Sequence, residues 1–573
     1  MHNNSPQTTY ELLSLAAKRC PQAIALRFVD NLQNIGASPV LTYEQLLSSL
    51  HQSIDMMRSL SGKERPVVSL LLPNIPQAQV LLWSAETAGI ANPLNPLLNE
   101  EALFQLMSRA QTDLIFAVGP MQGSDLWEKA QRVSARLPGK PICISVHAYG
   151  GEELHYDSEV LRYSDQAPTE ASLPVADDLA AYYHTGGTTG TPKLACHSHA
   201  NQTAAALAVI ESLQLSGDDI AINGLPIFHV AGAIVNSLAI LGAGGQLVLP
   251  TIAGFRSPEV IRSHWRLVDE LGVTISSGIP TSMASMLDAP LEGADVSTLR
   301  FLLSGGAPVP VRLHVLAQQK IGRQLYQAYG MTESSGVIAL PNLSQPAVCG
   351  SVGHITSPVE ARIENGEIYI RSPMVFPGYL GASSPVTSDG WLRTGDLGHL
   401  DEQGNLFITG RAKDLIIRSG HNIDPSLIEG CLEQHPAVSM AAAVGMPDEY
   451  AGELPVAFVQ LRAGSEVSGE DLQEYAMAHI AERPACPKRI IILDALPVTA
   501  VGKVFKPKLR EDVTDALLVE LLKQRCAHIG IKARHTDTGQ LVVQLWDVPA
   551  SEEEWCRDQV QRLNLNVDAL LVS

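Results

Sequence analysis

The run Tyr182-Tyr183-His184-Thr185-Gly186-Gly187-Thr188-Thr189-Gly190-Thr191-Pro192-Lys193 carries the densest chemistry in the chain. An apolar strand signal enters a loop of glycines and hydroxyls and ends on a lysine. Glycines let backbone N–H groups approach an anion closely, threonine hydroxyls add donors, and an ammonium neutralises phosphate charge. The run therefore reads as a phosphate cradle. It is not a Walker A loop, because no Gly-Lys-Ser/Thr occurs in it, and the chain has no GxGxxG dinucleotide fingerprint. Four later segments carry further ionisable groups in loops. Glu333 ends Tyr329-Gly330-Met331-Thr332-Glu333, and Asp396 ends Asp389-Gly390-Trp391-Leu392-Arg393-Thr394-Gly395-Asp396. Arg411 and Lys413 lie in Gly410-Arg411-Ala412-Lys413-Asp414, and Lys503 closes Leu496-Pro497-Val498-Thr499-Ala500-Val501-Gly502-Lys503. Taken singly, these are a loop acid, a turn aspartate, a solvated basic pair and a solubilising lysine.

Strands and helices must hold such loops in place. Thr42 is a plausible cap for a helix running on from Tyr43. Residues 67–72 read as a buried strand stopped by Pro73, residues 77–88 as a helix, and residues 89–93 as a turn. Short strands at 273–277 and 299–304 enter further loops. Such alternation favours a largely parallel, helix-covered sheet. After about residue 345 the texture changes to hairpins, one turning through Asn365-Gly366 and another around 400–406. Mixed strand and helix resume from Arg411. The last sixty residues read as a small α/β appendage, with a helix over 513–522, a strand at 541–545 and a helix from Ser551.

At 573 residues, 45% hydrophobic and 17% charged, the chain can bury a sizeable core, and its length suits several domains. Forty basic against 60 acidic residues give a net charge of −20, which argues against general nucleic-acid binding. Eight scattered cysteines form no CxxC pair, so neither structural zinc nor a disulfide framework is expected, and a reducing compartment fits. No secretory signal is visible in MHNNSPQTTYELL. Residues 220–255 hold no Asp, Glu, Lys or Arg, yet Pro226, His229, Asn236 and the glycines at 242, 244 and 245 would break a spanning helix. They read as a buried helix, a glycine turn and a core strand ending near Pro250. The expectation is a cytoplasmic protein without a membrane span.

These segments, in this order, resemble the adenylate-forming superfamily of acyl-CoA synthetases, peptide-synthetase adenylation domains and firefly luciferase. The likeness runs from Thr185 to Lys503, more than half of the chain. It departs from the pattern at Gly186, where serine is common, and at Leu194, where glycine usually follows the lysine. The resemblance implies that Thr185, Gly186, Gly187, Thr188, Thr189, Gly190 and Lys193 bind phosphates. Gly305, Gly306, Ala307 and Pro308 would flank adenine, Tyr329 would stack on it, and Thr332 would contact the α-phosphate. Glu333 would hold Mg2+, and Asp396 and Arg411 would reach the ribose. Lys413 would be the hinge, Lys503 the catalytic lysine, and Ser419, Gly420 and His421 the wall of a coenzyme A tunnel. The acyl pocket would lie near His229, Val230, Gly278 and Ala328, with His229 as a gate.

The implied fold is α/β: a large N-terminal domain of helix-covered mixed sheets with a β-barrel-like subdomain, and a small mobile α+β C-terminal domain. The boundaries expected are 1–410, 411–510 and an extension at 511–573. The implied reaction joins a carboxylic acid to ATP as an acyl-adenylate, releases pyrophosphate, and passes the acyl group to coenzyme A. An α-amino acid would need a buried carboxylate that the charge-free stretch lacks, so a fatty or other bulky hydrophobic acid is favoured. An acyl-AMP ligase loading a carrier protein and an inactive nucleotide-binding scaffold stand as alternatives. A homodimer through the extension is left open.

Overall fold

The computed structural model describes residues 5–147, 154–185, 193–480, 482–499, 503–536 and 540–572, leaving aside the side chains of Lys413, Asn422 and Val572. Two seven-stranded, mainly parallel sheets form the body of a large N-terminal domain. One runs Leu325–Ala328, Phe301–Gly305, Ile275–Gly278, Ile220–Ile222, Gln246–Pro250, Ile24–Val29, Val40–Thr42. The other runs Gly378–Tyr379, Lys193–Ser198, Leu179–Thr185, Ile90–Pro93, Val67–Leu71, Leu114–Val118, Ile142–Val146. Inner strands such as Leu114–Val118 are buried at every residue. That is why they read as unbroken apolar runs: helices cover both faces of a parallel sheet. The cap expected at Thr42 is present as a reciprocal capping box with Gln45 at the start of Tyr43–Ser61. Ser198 and Asn201 repeat the device on His199–Ser212, which turns the phosphate-cradle hairpin back into a helix.

One local expectation fails. Residues 90–93 are a strand, not part of a turn, and pair in parallel with Val67–Leu71. Their turn-like composition has another cause. Asn92 is fully buried and donates to Ser69 Oγ at 2.9 Å, and a Cβ on Gly89 would stand 2.1 Å from the Pro66 carbonyl oxygen. A polar pair and a close backbone approach imitate a loop signal inside the sheet.

A curled, six-stranded antiparallel sheet follows, in the order Ala339–Leu340, Ser351–Ile355, Asn405–Arg411, Leu392–Leu400, Glu367–Arg371, Glu360–Glu364. Its outer hairpin turns through Asn365 (φ 51°) and Gly366 (φ 81°), both left-handed, as a two-residue primed turn requires. The hairpin expected around 400–406 joins Leu392–Leu400 to Asn405–Arg411.

The smaller C-terminal domain pairs Val438–Asp448 with Gly452–Leu461, flanked by Ile416–Arg418, His421–Ile423 and Arg489–Leu493. Beyond it, Gly530–His535, Leu541–Val548 and Asn566–Val572 make a three-stranded sheet backed by Glu553–Arg562. The helix expected at 513–522 begins earlier, at Lys506, with Pro507 in its first turn, where a missing N–H costs nothing. This helix serves two cores. Leu509 and Val513 pack with Val444, Val456 and Phe458, whereas Leu518 and Leu522 pack with Val543, Leu545 and Val548. The charge-free stretch at 220–255 resolves into the strand Ile220–Ile222, a wide π-helical segment Ala231–Leu238, the short helix Ala239–Ala243 and the strand Gln246–Pro250. Among the described residues no helix is long and apolar enough to cross a membrane.

Candidate active site

The strand Leu179–Thr185 pairs antiparallel with Lys193–Ser198, and Thr185 faces Lys193 across the ladder. Gly186, Gly187, Thr188, Thr189 and Gly190 lie outside the described residues. The hairpin nonetheless brings Lys193 to a defined place: its ammonium stands 5.0 Å from the centre of the Tyr379 ring. The Tyr379 hydroxyl donates to the Glu333 carboxylate. Glu333 sits in the turn Thr332–Ser334 and is 9% exposed, and the Thr332 carbonyl accepts from His197 Nε2 at 2.8 Å. Burial holds the His197 imidazole down to about 4, so it stays a neutral brace.

A second pair faces the same cleft. Asp396 and Arg411 are directly opposed on neighbouring strands, with Arg411 Nε 2.8 Å from Asp396 Oδ1. The Tyr329 hydroxyl donates to Asp396 Oδ2 at 2.6 Å. The ring expected on adenine and the carboxylate expected on ribose are therefore fixed to each other. The strand Phe301–Gly305 delivers Gly305 and Gly306 to this wall, and Ala307 and Pro308 continue from it. Gly306 adopts φ 83°, and a Cβ there would lie 3.4 Å from Lys503 Cε and 3.9 Å from Ile279 Cγ2.

Lys503 thus reaches into the cleft of the large domain from the C-terminal domain. Its own turn is anchored by its N–H to Thr499 Oγ1 at 3.1 Å, although Ala500, Val501 and Gly502 lie outside the described residues. Loss of solvent and the neighbouring Arg411 lower the Lys503 pKa from its ordinary value, opposed by Asp396 and Glu333. Lys503 therefore feels the Asp396–Arg411 pair and Glu333 together. Lys413 stands in the turn Ala412–Asp414, directly after Arg411. Ser419, Gly420 and His421 form an exposed turn held by the Ser419 N–H on the Ala451 carbonyl. The structure does not bring these three to the cleft.

The residues expected to form an acyl pocket lie on and near the π-helical segment Ala231–Leu238. Val230 and Val235 approach Gly336, where a Cβ would lie 3.4 and 3.0 Å from their methyl carbons. Gly278 ends the strand Ile275–Gly278, and Ala328 ends Leu325–Ala328, beside Gly305. The wide turns leave two carbonyls that side chains satisfy: Asn236 Nδ2 donates to Ala231 O at 2.8 Å, and Asn223 Nδ2 to Gly232 O at 2.9 Å. Helices open to this wider form mostly where a site needs room. Burial, then Lys503 and His184, hold His229 down at about 3. Its Nδ1 accepts from the Ala231 N–H at 3.2 Å, so the neutral ring carries its proton on Nε2. His184 is neutral too, pushed by burial to about 4. It stacks on Phe228 at 5.7 Å and accepts from the Asn95 N–H through Nε2. Sequence reasoning missed Tyr379, Val235, Gly336 and the part His184 plays here. A tyrosine after glycine or a valine in an apolar run sends no local signal.

Three cationic groups, two carboxylates and two phenols thus converge on one cleft, with the uncharged π-helical segment beside it. That arrangement suits a polyanion lying against an apolar acid. Residues 13–380 match the family described as AMP-binding enzyme, and residues 427–503 match its C-terminal domain. The chain is 32% identical over 541 residues to the marinolic acid–CoA ligase of Pseudoalteromonas sp. (strain SANK 73390), covering 90% of this chain and 83% of that protein. It is 28% identical to the long-chain-fatty-acid–CoA ligase of Bacillus subtilis (strain 168), covering 89% and 95%. Among solved structures, ATP-bound MatB from Rhodopseudomonas palustris superposes with a TM-score of 0.78 at 25% identity, over 89% of this chain and 99% of that one. The chain belongs to the AMP-binding enzyme family of adenylate-forming proteins and is an ATP-dependent, AMP-forming acid–CoA ligase.

Proposed function

We propose that this ligase activates a fatty or other bulky hydrophobic carboxylic acid, using Mg2+ with ATP and free coenzyme A as the acyl acceptor. The carrying observation is the convergence of Lys503, Arg411, Glu333 and Asp396 on the cleft that the uncharged His229–Val235 wall adjoins. An acid and a triphosphate repel each other, so cations must offset the charge where they meet. Lys193 takes the outgoing phosphates, together with Thr185 and the loop at 186–190. Lys503 stands between the carboxylate and the α-phosphate, where Thr332 also contacts. Tyr329 stacks on adenine against Gly305, Gly306, Ala307 and Pro308, while Asp396 and Arg411 hold the ribose. Neutral His229 presents Nε2–H near the meeting point without adding charge.

Mg2+ fits this site. Among the described residues no cluster of three or more histidine, cysteine or acidic ligands exists, but a nucleotide-borne magnesium needs only one or two carboxylates besides its phosphates. Glu333 is that carboxylate; the ion, when bound, neutralises charge developing on the phosphates. We keep the division into 1–410, 411–510 and 511–573, with the last two units sharing the helix Lys506–Leu522. Rotation at Lys413 would then exchange Lys503 for the turn at Ser419, Gly420 and His421, which would line the coenzyme A path. We place the enzyme in the cytoplasm, and the 511–573 extension is our candidate for a homodimer contact.

The test is a screen of aliphatic, aromatic and polycyclic acids for AMP release with coenzyme A. Thioester formed only with a carrier protein would favour an acyl-AMP ligase; ATP binding without pyrophosphate exchange would favour an inert scaffold. Within the pocket, Val235→Trp is expected to raise KM for the preferred bulky acid about 10–100-fold and leave KM for ATP unchanged. An equal rise in both constants would remove Val235 from the acyl wall.

A further inference from the structure

We propose that Tyr379 is a positioning residue that sets the Glu333 carboxylate and the Lys193 ammonium at a fixed separation for the metal-bound triphosphate. The inference rests on the reading of Glu333 as the magnesium carboxylate and of Lys193 as a phosphate ligand. One side chain touches both groups in different ways. Its hydroxyl donates to Glu333 Oε1, and its ring face receives the Lys193 ammonium at 5.0 Å. A phenol bonding a carboxylate makes a directional, charge-assisted bond, whereas a ring face attracts a cation without fixing its rotation.

The backbone around Tyr379 is held rigidly enough for the task. Gly378–Tyr379 is a short edge strand whose register sets Tyr379 against Ala195, two residues beyond Lys193. The Leu380 N–H donates to the Leu194 carbonyl at 2.8 Å, and the Phe376 N–H donates to the Glu333 carbonyl at 3.0 Å. Phe376, 1% exposed, packs edge-on against the Tyr379 ring at 4.9 Å. The strand is thereby tied to the lysine strand on one side and to the glutamate turn on the other. A site group is only as well placed as the shell that supports it, and outer partners of metal-bound carboxylates characteristically tune metal affinity.

Two variants separate the contacts. In the full-length protein, Tyr379→Phe keeps the ring and removes the hydroxyl. It is expected to weaken equilibrium binding of magnesium-ATP about 10-fold, with binding of metal-free ATP unchanged. The Mg2+ concentration for half-maximal pyrophosphate exchange should rise in parallel, with kcat at saturating Mg2+ falling no more than about threefold. Tyr379→Leu removes the ring as well and should add a rise in KM for pyrophosphate in the reverse direction, which Tyr379→Phe does not show. Equal weakening of ATP binding with and without metal, or no change in Tyr379→Phe while Glu333→Gln does lose the metal dependence, would overturn the proposal. Unchanged magnesium dependence in Glu333→Gln would instead overturn the reading of Glu333 beneath it.

Discussion

Lys503→Ala is expected to lower acid-dependent pyrophosphate exchange by about 10²–10³-fold and to leave thiolysis of supplied acyl-adenylate by coenzyme A within a few-fold of wild type. The size follows from the removal of one charge from the place where two anions meet. The selectivity follows from geometry. Lys503 occupies the cleft against Gly306 in this structure, whereas the turn at Ser419, Gly420 and His421 is exposed. On the proposed division of roles, the two half-reactions call on different surfaces of one small domain. A pH signature accompanies the loss. Burial and Arg411 lower the Lys503 pKa from 10.5, so the ammonium that adenylation needs is surrendered at a lower pH than on an exposed lysine. Adenylation should therefore fall as pH rises through that lowered value. Lys503→Arg, whose guanidinium cannot deprotonate in this range, should keep part of the rate and lose the alkaline descent. Equal damage to both half-reactions by Lys503→Ala would refute the division of roles.

The chemistry of this site was legible because it is written in short contiguous motifs, although Asp396 and Arg411, expected in loops, lie on paired strands. Tyr329, Glu333, Asp396, Arg411 and Lys503 each follow a motif whose order along the chain survives folding, and the hairpin turn at Asn365-Gly366 is a local backbone demand. The Thr42 cap was legible for the same reason, since its partner Gln45 lies three residues away. What stayed hidden is set by tertiary contact. Tyr379 gains meaning only when an edge strand crosses 46 residues to lie beside Glu333. Asn92 looked like a turn residue because its partner, Ser69, belongs to the neighbouring strand. The π-helical widening at Ala231–Leu238 depends on Asn223 and Ser277, neither within the segment. The appendage showed its helices and central strand, but the partly exposed outer strands Gly530–His535 and Asn566–Val572 lack a clean alternation to betray them.

Glu86→Gln is expected to stabilise the large domain at alkaline pH and to change little near pH 5. Glu86 lies on the helix Pro76–Ala88 with no exposed surface, and its nearest polar neighbours, Gln202 and Thr9, are uncharged and only partly offset its burial. Burial pushes its pKa from 4.5 up to about 8. Its neighbours supply no compensating charge: burial keeps the Tyr183 phenol protonated, and holds the His199 imidazole down at about 4. For an acid whose folded pKa is raised, the folded state binds the extra proton between the two values. Stability from this group is then complete below about 4.5, declines as pH rises, and is lost above about 8. The loss amounts to about 3 kcal/mol at pH 7 and more above pH 8, at 1.36 kcal/mol per pKa unit. Glutamine has the shape of the neutral acid and no proton to lose, so the difference in urea midpoint between Glu86→Gln and wild type should open from pH 5 to about pH 8 and level off above it. A difference that stays flat across that range would refute the raised pKa of Glu86.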